Sequence, residues 1–207
     1  MLDKPIVMLD FETTGLSPNN GDRITEVAAL RIVNGKIVER YVTLINCGVR
    51  IPSFITHLTG ISQSMVNAAP VVSSVMPELL RFIGTDVLSA HNASFDAKFL
   101  YAESQRMGLE PAYGGLICSL KLSRRVFPGM ASYKLATLAS ALRIRFNGTA
   151  HRAEADAEVS AKLLIHIAAH LADTYALPIV TAQLLESVNK LSAAKVPEFL
   201  QKNSAAM

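Results

Sequence analysis

The sequence predicts an α/β protein: a mixed β-sheet with helices on both faces. Three observations carry this. The first 45 residues read as consecutive strands, the stretch from Asp86 alternates strand and helix, and the last third has a helical pattern.

Residues 5–11 (PIVMLDF) are a short apolar, β-branched run that stops at Glu12-Thr13-Thr14-Gly15, the pattern of a buried strand. Residues 23–33 (RITEVAALRIV) make a second strand, Asn34-Gly35 a tight hairpin, and residues 36–45 a returning third. A helix is expected over 74–83 and a buried strand over 86–90. Ser94 is placed to cap a helix that runs to about Met107 and ends at Gly108. Further helices are expected at about 118–126, 133–143 and 153–172, with a turn at Asn147-Gly148. Pro178 opens a helical segment to about Leu191, and Pro197 precedes a short polar tail. Residues 1–173 are thus read as the main domain and 174–207 as a C-terminal helical extension, too short for a core of its own.

Half of the 207 residues are hydrophobic and 18% are charged, which permits a sizeable core and argues against disorder. The net charge of +3 permits a polyanionic partner without requiring one. Cys47 and Cys118 stand far apart without metal-ligand spacing and read as buried free thiols in a reducing compartment. The N-terminal apolar run is too short for a signal peptide, and no stretch approaches the ~18–20 apolar residues of a membrane span. A cytoplasmic protein without a membrane role is the expectation.

Asp10-Phe11-Glu12 places two carboxylates on one face at the end of an apolar strand. Such a pair needs protons or a cation to relieve its repulsion. Asp96, in His91-Asn92-Ala93-Ser94-Phe95-Asp96, lies just past another strand, where α/β sheets place ligands. His151-Arg152-Ala153-Glu154-Ala155-Asp156 sets a histidine at a helix entrance and an acid about one turn inside, with Glu154 and Glu158 as competing acids. Four acids and one histidine suit hard cations, and carboxylates shared by two ions about 4 Å apart serve in-line displacement at phosphorus. The histidine is the natural proton acceptor near neutral pH.

The stretches DFETTG at 10–15, HNASFD at 91–96 and HRAEADA at 151–157 resemble the three exonuclease motifs of the DEDDh superfamily. That superfamily includes the proofreading epsilon subunit of bacterial DNA polymerase III, its PolC-type relatives, RNase T and oligoribonuclease. RITEVAAL at 23–30, LTGIS at 58–62 and YKLATLA at 133–139 match as well, so the likeness spans about residues 5–172. Thr59 stands where epsilon and RNase T carry a histidine before the glycine, which leans the likeness toward the PolC type.

The resemblance implies a ribonuclease H-like fold and release of nucleoside 5′-monophosphates from a 3′ end. It makes Asp10, Glu12, Asp96 and Asp156 ligands of two Mg2+ or Mn2+ ions and His151 the general base. It implies that Thr13, Thr14, Gly15 and Leu16 hold the terminal nucleotide, Leu16 as an apolar wedge and Gly15 supplying a positive-φ turn. Leu58 and Thr59 would line the terminal-base pocket, with Asn92 and Phe95 flanking the strand. The implied partner is a single-stranded 3′ end, DNA ahead of RNA, with a DNA polymerase as a possible protein partner. An exoribonuclease, or a polymerase-associated subunit docking through its extension, are the alternatives.

Several other residues read as structural. His166 and His170 share a helical face but lack a third ligand, so they read as packing or surface groups. His57 is assigned to a surface loop and Glu26 to a structural hydrogen bond. Lys121, Arg124 and Arg125 form one basic cluster and Arg143, Arg145 and Arg152 a second; either reads as a solvated face, and the second is also placed to meet phosphates.

Overall fold

The N-terminal strands form as expected. In the computed structural model, which describes residues 2–145 and 148–204, β1 (Ile6–Thr13), β2 (Ile24–Val33) and β3 (Lys36–Leu44) build an antiparallel meander. Asn34 and Gly35 both have positive φ (51° and 72°), the conformation that a two-residue hairpin matching the sheet twist requires.

Two short helices follow, α1 (Ser53–Thr59) and α2 (Gln63–Asn67), then the longer α3 (Val72–Ile83). β4 (Val87–Ala90) leads into α4 (Ala93–Gln105), and β5 (Leu116–Cys118) into α5 (Ser119–Val126). Helices α6 (Leu135–Ala141), α7 (Ala153–Tyr175), α8 (Ala182–Lys190) and α9 (Val196–Ser204) complete the order. The sheet runs β3-β2-β1-β4-β5, with β4 and β5 parallel to β1, so it is mixed.

Strand alternation sorts the core into two layers. Ile6, Met8, Ala28 and Leu30 face one side, packed by α5 to α9 through residues such as Leu163, Leu164, Ile167 and Leu185. Val7, Leu9, Phe11, Val27 and Ala29 face the other, packed by α3 and α4 through Met76, Leu79, Phe99 and Leu100. Helices on both faces are therefore present as predicted. The two cysteines are buried and free. Among the described residues, no helix is long and apolar enough to cross a membrane.

Four local expectations are corrected. The cap of α4 is Asn92 rather than Ser94: Asn92 adopts the left-handed conformation (φ 80°) and its carbonyl accepts Phe95 N–H at 2.8 Å. A chain turning sharply off β4 needs that conformation, and asparagine tolerates it. The segment after Pro178 is not helical until Ala182, because Val180 bridges Leu2 and Asp3 Oδ1 caps Ala182 N–H at 2.8 Å. The expected polar tail is a helix, with Pro197 in its first turn, where a missing N–H costs nothing. His57 lies on α1 rather than in a loop, its Nδ1 2.7 Å from the Ser53 carbonyl. The turn expected at Asn147-Gly148 involves Asn147, which lies outside the described residues.

The C-terminal helices contribute to the main core: Leu184, Leu185, Val188, Val196 and Leu200 are all buried in the same cluster as β1 and α7. Asn189 covers the outer edge of β5, its side-chain amide accepting Cys118 N–H at 2.7 Å and donating to Cys118 O at 3.1 Å. A single side chain thus stands in for a missing neighbouring strand. His166 and His170 pack beside the Phe127 ring, at 6.0 and 5.0 Å between centroids.

Candidate active site

Asp10 and Glu12 continue the even-numbered face of β1, the face covered by α7, and α7 carries Asp156 in its first turn. One carboxylate oxygen from each of Asp10, Glu12 and Asp156 lies within 4.8 Å of the others. Asp96 approaches from the first turn of α4 and is 3% exposed. Its Oδ1 accepts the Phe11 backbone N–H at 3.1 Å, which ties α4 to the strand between the two β1 acids. His151 immediately precedes α7 in a positive-φ conformation (61°), and its N–H donates to Asp156 Oδ2 at 2.9 Å.

Crowded carboxylates in a partly dry site hold protons tightly. Burial pushes Asp10 well above the usual carboxylate range, reinforced by Asp96, Glu12 and Asp156. Glu12 rises to about 8, through burial first and then Asp156 and Glu26, with Arg152 opposing. Burial takes Asp96 to about 8 against the Phe11 hydrogen bond, and it also raises Asp156. Hard oxygen donors converging with this excess of negative charge are the donor set of a divalent cation.

A measurable consequence follows. Each acid binds its proton more tightly folded than unfolded, so the stability it contributes is present at low pH and lost as pH rises toward about 8. The chelated protein should lose about 5 °C or more of Tm between pH 6 and 8.5. Mg2+ should restore it at the upper end, and Asp10→Asn should flatten the profile; a metal-free Tm unchanged across that window would refute this electrostatic description.

The acids open onto a cleft of about 400 Å³, walled by Thr13, Gly15, Leu16, Leu58, Thr59 and Phe95 as well as His151. Leu16 (79% exposed), Phe54 (64%) and Leu58 (50%) form an apolar rim beside the charged floor. Phe54 and His91 were not anticipated; an exposed aromatic two residues past Pro52 was the available signal for the first. His91 is held by Ser119 Oγ at 3.0 Å and the Tyr133 carbonyl at 3.2 Å, and burial lowers its pKa.

Two predicted substrate residues lie off the cleft wall. Thr14 is buried, its hydroxyl accepting Arg23 N–H at 3.0 Å, and Asn92 serves the α4 turn. The Thr59 hydroxyl donates to Ile55 O at 2.9 Å and accepts Ile61 N–H at 3.1 Å. Gly15 does not adopt the predicted positive φ. Its need for glycine is steric: a Cβ there would lie 2.4 Å from Asp22 Oδ1, whose carboxylate also accepts Ser17 N–H at 2.9 Å. Lys98 Nζ donates to Leu16 O at 2.9 Å on the other side of the loop. The loop is therefore braced by protein groups on both sides.

Arg152, expected to face phosphates, is instead committed to Glu26 at 2.6 Å. In the first basic cluster, Arg124 lies over the Tyr133 ring and Arg125 donates to Leu191 O.

A five-stranded mixed sheet with helices on both faces, its central strand ending at a cleft lined by Asp10, Glu12, Asp96 and Asp156, has the architecture of the ribonuclease H-like class. The exonuclease family model matches residues 7–164. The chain belongs to that exonuclease family. It is 41% identical over 164 residues to the DNA polymerase III PolC-type of Caldanaerobacter subterraneus, covering 79% of this chain but 12% of that much longer protein. It is 34% identical over 167 residues to the DNA polymerase III subunit epsilon of Aquifex aeolicus, covering 81% of this chain and 82% of that one. Among solved structures, Exonuclease X in complex with 5′ overhanging duplex DNA is 28% identical with a TM-score of 0.70, over 89% of this chain and 99% of that one.

Proposed function

We propose that this protein removes nucleotides from the 3′ end of single-stranded DNA as nucleoside 5′-monophosphates, in proofreading or repair. The observation that carries the proposal is the convergence of Asp10, Glu12, Asp96 and Asp156 on the floor of a cleft with an apolar rim and His151 at its edge. The likeness to the epsilon subunit and to a DNA-bound Exonuclease X supports DNA over RNA and a DNA polymerase as a partner. Residues 174–207 are proposed as a helical extension that closes the β5 side of the exonuclease domain at 1–173.

The four acids are the proposed ligands of two divalent ions, Mg2+ or Mn2+. When bound, these supply Lewis-acid polarisation at phosphorus and offset charge on the departing oxygen. The remaining steps belong to the chain. Leu16, Leu58 and Phe95 hold the terminal nucleoside against the apolar rim, Thr13, Gly15 and Thr59 form the wall around it, and Thr14 braces the loop from behind through Arg23 N–H. Asn92 sets the turn that aims Asp96 into the site. His151 accepts the proton of the attacking water; the P–O3′ bond breaks, giving a nucleoside 5′-monophosphate and a new 3′ hydroxyl.

The polarity is tested with a 5′-labelled single strand in Mg2+ or Mn2+. A descending ladder is expected, with arrest by a 3′-terminal phosphate, and a parallel RNA strand should shorten more slowly. Fragments released from circular single-stranded DNA would overturn the exonuclease reading, and preference for the RNA strand would overturn the choice of DNA.

A further inference from the structure

Glu26 is a carboxylate beside the acidic floor with both oxygens held by protein partners of its own. It lies on β2 directly opposite Glu12 in the β1–β2 register and is 3% exposed. Its Oε1 accepts Arg152 Nη2 at 2.6 Å and Nε at 3.2 Å, and its Oε2 accepts Arg152 Nε at 3.1 Å. Oε2 also accepts the backbone N–H of Ala153, the first residue of α7, at 2.9 Å. Arg152, at the cap position, provides no side-chain cap of its own. The donor left over at the entrance of a 23-residue helix is satisfied instead from a strand 127 residues away in sequence.

What that anchor holds is the segment His151–Asp156. Asp156 N–H donates to Arg152 O at 3.1 Å, and Asp156 Oδ2 in turn accepts His151 N–H at 2.9 Å. Glu26 therefore grips the two residues that follow the histidine, Arg152 and Ala153, and it does so from the strand paired with β1. A carboxylate gripped by a guanidinium fork fixes orientation as well as distance, which a point charge does not.

The geometry points to Glu26, acting through Arg152 and Ala153, as a positioning residue that sets His151 and Asp156 against Asp10 and Glu12. This rests on the proposed roles of His151 as base and Asp156 as ligand. Glu26 does not line the cleft that takes the substrate, so its removal acts on turnover rather than on binding.

The test uses the full chain and two substitutions: Glu26→Gln, which keeps an acceptor for Ala153 but loses the charge, and Glu26→Ala, which loses both. With saturating Mn2+ and 5′-labelled single-stranded DNA, kcat should fall about 10–100-fold, more for alanine, with KM within about threefold. Added to His151→Ala, Glu26→Gln should cost less than it does alone, since one of the two groups it positions is already gone. Amide hydrogen exchange in the metal-free protein should quicken at residues 151–156 while β1 and β2 stay protected. An unchanged kcat would overturn the proposal, as would full additivity with His151→Ala or exchange that quickens uniformly, the mark of a purely structural pair. Should the wild type release nothing from 3′ ends, the exonuclease reading itself fails, and the exchange pattern still decides whether Glu26 anchors the helix entrance.

Discussion

Asp10→Ala is expected to lower turnover by at least about 10³-fold, with the fold intact. Asp10 sits between two sources of negative charge: Glu12 and Asp156 share its 4.8 Å cluster, and Asp96 presses on it from α4. Loss of this carboxylate would remove a shared ligand, and with it the support of both the attacking and the departing oxygen. EDTA should produce the same loss in the wild type, reversed by Mg2+ or Mn2+. Thermal melting of the metal-free variant separates a catalytic from a structural defect. Its Tm at pH 8 should equal or exceed that of the wild type, because one of several mutually repelling charges is gone. A variant that melts normally and turns over within tenfold of the wild type would sink the assignment.

His151→Ala should lose about 10²–10⁴-fold in kcat, the usual worth of a positioned base. It should still bind Mn2+ and single-stranded DNA, because all four carboxylates remain. Glu154 is the rival base by sequence, being nearer to Asp156. The structure turns it elsewhere: Glu154 pairs with Arg40 of β3 at 3.2 Å and lines a separate groove with Val42, Thr149 and Glu158. Glu154→Gln should therefore retain nearly full activity at saturating metal. Severe loss in that variant, with His151→Ala almost unaffected, would reassign the base and leave the acidic centre standing.

The meander was legible because each of its signals is local: apolar β-branched runs and an Asn-Gly turn whose two residues do take positive φ. The acidic centre was legible for a different reason. Its members lie in three short motifs, and strand alternation alone puts Asp10 and Glu12 on one side. What escaped was short or held by distant partners. Helices α1 and α2 have seven and five residues, and β5 has three, too few for periodicity to register. The stretch after Pro197 read as a polar tail because the place of a proline within a helix cannot be known until the start is, and in a first turn proline is harmless. Glu26 was expected to make a structural hydrogen bond, as it does, but its partners Arg152 and Ala153 become visible only once α7 is laid across the sheet.

The near-contact at Gly15 bears on which sequences this loop can explore. A methyl group at position 15 would collide with the Asp22 carboxylate, and that same carboxylate holds Ser17 in place. A larger residue at 15 must push the Asp22 carboxylate aside and so strains the Ser17 tether, which shortening Asp22 alone gives up outright. In a library randomised at both positions, survivors should pair a larger residue at 15 with a smaller one at 22, whereas either change made singly should be rare. The two sites constitute one coupled unit of variation, so tolerance measured one residue at a time will understate what the loop accepts.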